Sequence, residues 1–298
     1  MKTVVIGIGL IGGSMAKDLR RSGFATEITG VENLGEHAAE ALRLGIADRM
    51  APLGEAVSSA DLVIVTTPVD VMLELLPEVL DRISPHATVT DMGSVKRRLT
   101  EAVRNHPRRR NYVPAHPMAG TENSGPSAAM EDLFRGKIAI VCDQEMSGPQ
   151  HLALAEKMFH ALGMNIAYMT SDEQDHSTAF VSHLPHAAAY ALANAVLAKE
   201  ERQIIFDLAS GGFNSTVRLA KSSCDMWHPI FEQNCDYVVE SLNVYIKHLE
   251  QFRDAIRDRE SRRLADLILN ANRIRSVLEG ENHQFIKNEE TFVKLYTK

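Results

Sequence analysis

The chain has 298 residues, 45% of them apolar and 24% charged, with a net charge of −7. That length accommodates two ordinary domains with a sizeable core, and the balance of side chains is that of a globular protein. An acidic chain is not built to grip a polyanion, which argues against nucleic acid as a partner, and no run of about eighteen apolar residues is present to span a membrane. Cys142, Cys224 and Cys235 are widely spaced. They outline neither a disulfide framework nor a zinc site, so no metal is expected, and they fit a reducing, cytoplasmic compartment.

The chain starts directly on a strand pattern, and no charged leader can be separated from it. Seven short apolar runs, many β-branched and bounded by Gly, Asp, Pro or Asn, read as strands: Thr3–Ile6, Ile28–Val31, Leu62–Thr66, Thr88–Thr90, Tyr112–Ala115, Ile138–Val141 and Ile166–Tyr168. Helical patterns such as Gly12–Ser22 and Val71–Ile83 lie between them. Such alternation predicts an α/β domain over residues 1–169, a doubly wound, largely parallel Rossmann-like sheet with helices on both faces. The basic cluster from Arg104 to Arg110 reads as a solvated loop.

The first strand runs into "GIGLIGGS", with Gly7, Gly9 and Gly12 in G-x-G-x-x-G spacing between a strand and a helix. The first glycine makes a tight turn, the second admits a pyrophosphate, and the third lets the helix pack close, its N-terminal amides facing the anion. Leu10 and Ile11 in the first helical turn belong to the same cofactor-binding set. Glu32 closes the second strand, placed to accept hydrogen bonds from ribose hydroxyls and to repel a 2′-phosphate, which favours NAD over NADP. Thr66, Thr67 and Pro68 end the third strand and would wall the same crevice.

Ligands of such sheets bind at the carboxyl edge of the strands. Two restricted loops converge there, "DMGSVK" with Ser94 and "HPMAGTENSG" with His116. A serine hydroxyl beside an imidazole can fix its tautomer, and His116 is the candidate base, with a pKa near neutrality suiting that role.

The texture changes near Thr170. Ser171 with Gln174 three residues on has the form of a capping box, and the remainder, residues 170–298, reads as an all-helical domain. The alanine-rich stretch Ser177–Ala198 is apolar nearly all round and so buried on several sides, with Pro185 bending or restarting it. Further helices are expected over Glu200–Ala209, Trp227–Asp258 in one or two pieces, and Glu260–Leu278, stopping at Gly280 before a polar tail. His176, His183 and His186 fall near one helical face, as substrate contacts or as histidines satisfied in a buried interface. Arg218, in a Ser/Thr/Gly-rich stretch, suits a bidentate grip on a carboxylate, and Trp227 reads as core.

Taken in order, "GIGLIGGS", "DMGSVK", "HPMAGTENSG", "SHLPH" and "RLAKSSCDMW" resemble the prephenate dehydrogenase family of tyrosine biosynthesis, which includes the arogenate dehydrogenases. The resemblance implies a Rossmann-like domain followed by a helical domain that makes a homodimer. It implies oxidative decarboxylation of prephenate with NAD+, with His116 catalytic, Ser94 hydrogen-bonded near it, His183 and His186 in the substrate pocket, and Arg218 on a substrate carboxylate. In a departure from some relatives, no separate regulatory domain is expected, since the stretch from Glu281 to Lys298 is too short for one. Arogenate as the substrate stays open, as does a 3-hydroxyacid-type dehydrogenase, which would need a catalytic lysine such as Lys199 or Lys221. A non-catalytic NAD sensor would have no need of a base at the nicotinamide.

Overall fold

A computed structural model describes residues 1–198 and 211–278. Within it the chain separates into two compact units, Met1–Cys235 and a second from Asp236 onward. The helix expected over residues 200–209, the stop at Gly280, the tail after it and Lys199 lie outside the described residues.

All seven expected strands form, with ends shifted by a residue or two: β1 Lys2–Ile6, β2 Glu27–Val31, β4 Leu62–Val65, β5 Thr88–Asp91, β6 Tyr112–Pro117, β7 Ile138–Cys142 and β8 Asn165–Met169. An eighth, β3 Arg49–Met50, is two residues long, too short to leave an apolar pattern. They make one sheet in the order β3-β2-β1-β4-β5-β6-β7-β8. Pairing is parallel except between β6 and β7, where Ala115, His116 and Pro117 face Val141, Ile140 and Ala139 in antiparallel register.

Strand side chains alternate between two cores, as a period of two requires. Val5, Ile28, Leu62 and Ile64 join Met15, Leu19, Phe134 and Phe159 on one face. Val4, Ile6, Val63, Val65 and Val89 join Leu76, Leu80, Leu99 and Tyr112 on the other. Helices α1 Leu10–Arg21 and α4 Val69–Arg82 each supply one such apolar stripe. Each fully buried large side chain of this kind stabilises the fold by about 1.5–3 kcal/mol.

The basic cluster is only in part the solvated loop its composition suggests: Arg104 and Arg110 are exposed, but Arg108 and Arg109 are not. Arg109 is 5% exposed, its guanidinium lying over the Tyr112 ring and donating to the Tyr112 carbonyl. Arg108 donates to the carbonyls of Leu80, Asp81 and Ile83, tying the end of α4 to the approach of β6. A long stem and five donors let arginine satisfy buried carbonyls that a loop would otherwise leave to water.

Beyond β8 every described element is helical. The capping box sits one residue earlier than expected. Thr170 caps helix α7 (Ser171–Thr178) by accepting from the Glu173 amide, and Glu173 reaches back to the Thr170 amide. Ser171 instead donates to the Asp143 carboxylate, and Gln174 is free for another task. A π-helical turn, Ala179–His183, then leads into α8, Leu184–Leu197, so that Pro185 falls where the winding changes. The expected long helix is two pieces, Cys224–Gln233 and Cys235–Arg257, and the last is Ser261–Asn272 followed by Ile274–Leu278.

One buried ion pair fixes the strand ends that matter most. Lys96 and Asp91 are both fully buried and bonded to each other. The remaining lone pairs of Asp91 accept from the Gly93 amide at 2.9 Å, the Tyr112 hydroxyl at 2.6 Å and the Ala115 amide at 3.4 Å. One carboxylate thereby joins β5, the turn after it and β6. Removing one member leaves the other charge unpaired in a dry interior. Lys96→Met should destabilise the chain by about 3–5 kcal/mol in urea unfolding, and adding Asp91→Asn should recover part of that loss. Equal stability of Lys96→Met and the parent chain would show the pair to be energetically idle.

Candidate active site

At the glycine turn the backbone geometry explains two of the three glycines. Gly7 has φ +86°, and a Cβ there would lie 3.0 Å from the Thr66–Thr67 backbone. A Cβ on Gly12 would collide with the Gly7 carbonyl and the Thr66 hydroxyl, so only glycine lets α1 approach β1 this closely. Around Gly9 the space is open apart from the Gly125 amide at 4.0 Å. No side chain caps α1, which leaves the first-turn amides of Leu10, Ile11 and Gly12 available to an anion. The Leu10 and Ile11 side chains themselves turn inward, Leu10 buried and Ile11 packed against the core.

Glu32 accepts from the Ile8 amide at 3.0 Å and from the Leu34 amide at 3.1 Å. It lines a cavity of about 270 Å³ together with Gly7, Val31, Leu53, Thr67 and Leu75. Thr66 is spent structurally, its hydroxyl donating to the Ile6 and Gly7 carbonyls. Thr67 differs: its hydroxyl is buried with no protein partner. Pro68 caps α4 at the same edge. A cavity that Gly7, Glu32 and Thr67 share, beside a glycine turn whose helix amides are uncapped, fits the pyrophosphate and adenosine ends of a dinucleotide.

His116 lies inside β6, 8% exposed, at the carboxyl end shared with β5. Burial, then the Lys96 ammonium and His183, push its pKa down to about 3 rather than the near-neutral value expected from sequence. The imidazole is therefore neutral at physiological pH. The expected Ser94 hydroxyl contact is absent: among the described residues that hydroxyl makes no hydrogen bond. The partner of His116 is Gln174, whose Nε2 is 3.0 Å from Nδ1 and also donates to the Ser94 carbonyl at 3.1 Å. Ser94 thus reaches His116 through its backbone. Among the described residues Nε2 of His116 has no hydrogen-bond partner.

His183 is fully buried, with its pKa pushed down to about 4, chiefly by burial. Its Nδ1 lies 3.1 Å from Asn234 Nδ2, which also donates to the Asp175 carbonyl at 2.8 Å. The Asp175 carboxylate accepts from the Lys96 and Arg97 amides at 2.7 and 3.0 Å, while burial raises its pKa to about 6. His186 stacks on Trp227, ring centroids 3.4 Å apart, and its Nδ1 bonds the Ser182 carbonyl. Trp227 is core, as expected, and also presents its edge to His183. His176 does not join them. It is exposed and meets Phe180, because the π turn inserts extra backbone between it and His183 and rotates the faces apart.

Arg218 begins a short 3₁₀ turn and is not free: it bonds Glu122, from the loop after His116, at 3.2 Å. Asp91, Lys96, Glu122, Asp175 and Asn234 are polar residues of the site that the sequence did not single out, and Gln174 stood there only as a capping residue. Two of them stood in the quoted "DMGSVK" and one in "HPMAGTENSG".

Two family models match the chain, the prephenate dehydrogenase nucleotide-binding domain over residues 15–168 and the prephenate dehydrogenase dimerization domain over residues 170–270. The chain belongs to the prephenate dehydrogenase family. It is an NAD-dependent oxidoreductase of that family and carries its dimerization domain. Prephenate dehydrogenase of Bacillus subtilis is 30% identical over 270 residues, 89% of this chain and 73% of that one. Cyclohexadienyl dehydrogenase of Zymomonas mobilis is 28% identical, covering 93% of this chain and 96% of its own. Among solved structures, prephenate dehydrogenase of Aquifex aeolicus with hydroxyphenyl propionate and NAD+ superposes with a TM-score of 0.86 at 31% identity, over 93% of this chain and 98% of that one. Synechocystis arogenate dehydrogenase gives 0.75 at 29% identity, over 93% and 100%.

The buried family histidines carry a stability consequence. His116 and His183 bind protons near 6.5 when unfolded but only near 3 and 4 when folded. The stability they contribute is full above about 6.5 and is lost as pH falls toward 4. Asp175, raised to about 6, works in the opposite sense. Burial also lowers His151 and His186 and raises Asp18. With four imidazoles against two carboxyls, urea unfolding should show a net loss of stability on acidification below about pH 6. Stability unchanged between about pH 7 and about pH 5 would contradict the neutral, buried imidazoles.

Proposed function

We propose that the chain converts prephenate to 4-hydroxyphenylpyruvate and CO2 with NAD+ as hydride acceptor, in the cytoplasm and as a homodimer, with residues 1–169 holding the cofactor and residues 170–298 completing the substrate pocket and the dimer. The observation that carries the reading is a neutral, buried His116 with an open Nε2 at the sheet edge that also holds the glycine turn. NAD+, when bound, takes the hydride from the ring carbon bearing the hydroxyl.

The glycine-turn amides and Thr67 bind the cofactor, and Glu32 meets the adenosine ribose. His116 accepts a hydrogen bond from the ring hydroxyl through Nε2 and draws its proton as that carbon gains carbonyl character. Loss of the ring carboxylate as CO2 then restores aromaticity, the proton returns to the phenol oxygen, and the step runs one way. Arg218 holds a substrate carboxylate, exchanging Glu122 for it, and orients the ring. His186, braced by Trp227, lines the pocket, and His183, fully buried, backs it. Arogenate differs only in its side chain, and the similarity to the Synechocystis arogenate dehydrogenase favours testing it alongside.

A row of exposed apolar side chains from Asp236 onward, among them Val239, Ile246, Leu249, Ile256 and Leu269, supports the homodimer. Light scattering at micromolar protein should report twice the chain mass.

Absorbance of reduced nicotinamide should rise with prephenate and NAD+, and far more slowly with NADP+. Absence of reduction with both prephenate and arogenate would overturn the reaction. His116→Asn should lower kcat by roughly 10²–10⁴-fold with little change in KM, and near-normal turnover would remove His116 from the chemistry. Arg218→Ala should raise KM by roughly tenfold or more, and an unchanged KM would place the arginine outside the pocket.

A further inference from the structure

We propose that Gln174 is the positioning residue of His116: its carboxamide presents either its NH2 or its oxygen to Nδ1, and so decides whether Nε2 meets the substrate hydroxyl as a donor or as an acceptor. The inference rests on the reading of His116 as the group that meets that hydroxyl.

Gln174 is fully buried on α7, directly behind the imidazole. Its NH2 has two hydrogens and three acceptors in reach: His116 Nδ1 at 3.0 Å, the Ser94 carbonyl at 3.1 Å and Thr178 Oγ1 at 3.4 Å. Its oxygen is buried with no hydrogen-bond partner. In this arrangement Nδ1 accepts, so the neutral imidazole carries its proton on Nε2. Such a ring can donate to a hydroxyl oxygen but cannot take a proton from it.

Turning the carboxamide over puts its NH2 in the place where the oxygen had no partner. The orphaned oxygen then accepts from Nδ1–H, the Ser94 carbonyl loses its donor, and Nε2 is left with a free lone pair. The ring loses one proton from Nε2 and gains one at Nδ1, with water as carrier, so its charge is unchanged. The second arrangement leaves more polar groups short than the first, so the ligand-free protein holds the first, and a substrate hydroxyl arriving as a donor to Nε2 supplies the difference that selects the second. A carboxamide can serve in this way because it offers both a donor and an acceptor and does not titrate.

The charged and titratable groups around His116 are the Lys96 ammonium with its partner Asp91, Asp175 beside Gln174 on α7, and His183. None of them bonds to Nδ1, so the hydrogen bond that sets the tautomer comes from Gln174 alone.

The test is the pH profile of kcat/KM for prephenate in the full-length protein with saturating NAD+. Gln174→Glu can only accept when ionised. It should fix the proton on Nδ1 and move the acid limb upward by about one unit or more. Gln174→Met, which fills the space without either group, should lower kcat by roughly tenfold or more while KM stays within about threefold. Thermal unfolding of both variants separates a local effect from loss of fold. A Gln174→Glu profile superimposable on the parent, or a Gln174→Met enzyme with unchanged kcat, would overturn the proposal. His116→Asn distinguishes the two failures: if it turns over normally the reading of His116 falls, and if it is inactive while the Gln174 variants behave as the parent, the positioning role alone falls.

Discussion

The contact between Lys96 and Asp91 is the constraint on which the site is built. Both groups are fully buried, and a charge in such a place persists only when it is paired and its remaining hydrogen-bonding capacity is used. Asp91 uses that capacity on β6, through Tyr112 and Ala115. The carboxyl ends of two neighbouring strands are thereby locked in register, and His116, next after Ala115, inherits its place. The ammonium does a second task. It stands behind the imidazole and, together with burial, disfavours the imidazolium. The position of the candidate base thus follows from one ion pair, and its neutrality chiefly from burial, with the ammonium adding to it.

Helix α7 closes the other side. The Asp175 carboxylate accepts from the amides of Lys96 and Arg97, and Gln174 bonds the Ser94 carbonyl and His116. The helical segment is therefore attached to the sheet through backbone groups of the loop after β5. Asn234 continues the network from the Asp175 carbonyl to His183. Both buried imidazoles are met at Nδ1 by a primary amide. Neutral side chains suit this task, since they orient a ring without adding charge to a space meant for a carboxylate-bearing substrate.

Much of this was legible in the residues themselves, and the reasons are physical. A strand such as Leu62–Val65 announces itself by β-branching and boundaries, and the glycine turn by a spacing that steric contact enforces at Gly7 and Gly12. His116 and Ser94 could be brought to one edge because parallel strands present their carboxyl ends together. The partner of His116 could not be read in this way. Gln174 lies 58 residues away, and in sequence it resembles a capping residue; the true cap is one position earlier, and nothing local distinguishes the two frames. The misplacement of His176 has a similar origin, since a π turn follows no simple periodicity and breaks the i, i+7 relation. The arginines at 108 and 109 look like a solvated cluster until the carbonyls they serve, distant in sequence for Arg108, are brought beside them.

The central claim is that this framework holds His116 neutral and open at Nε2. An NMR titration of the histidine ring carbons in the ligand-free protein, with the His116 signal assigned by its loss in His116→Asn, tests it directly. The account predicts a resonance that stays at its neutral position well below the ordinary histidine value of 6.5, consistent with a midpoint of about 3. A His116 resonance that titrates near 6.5 would contradict it.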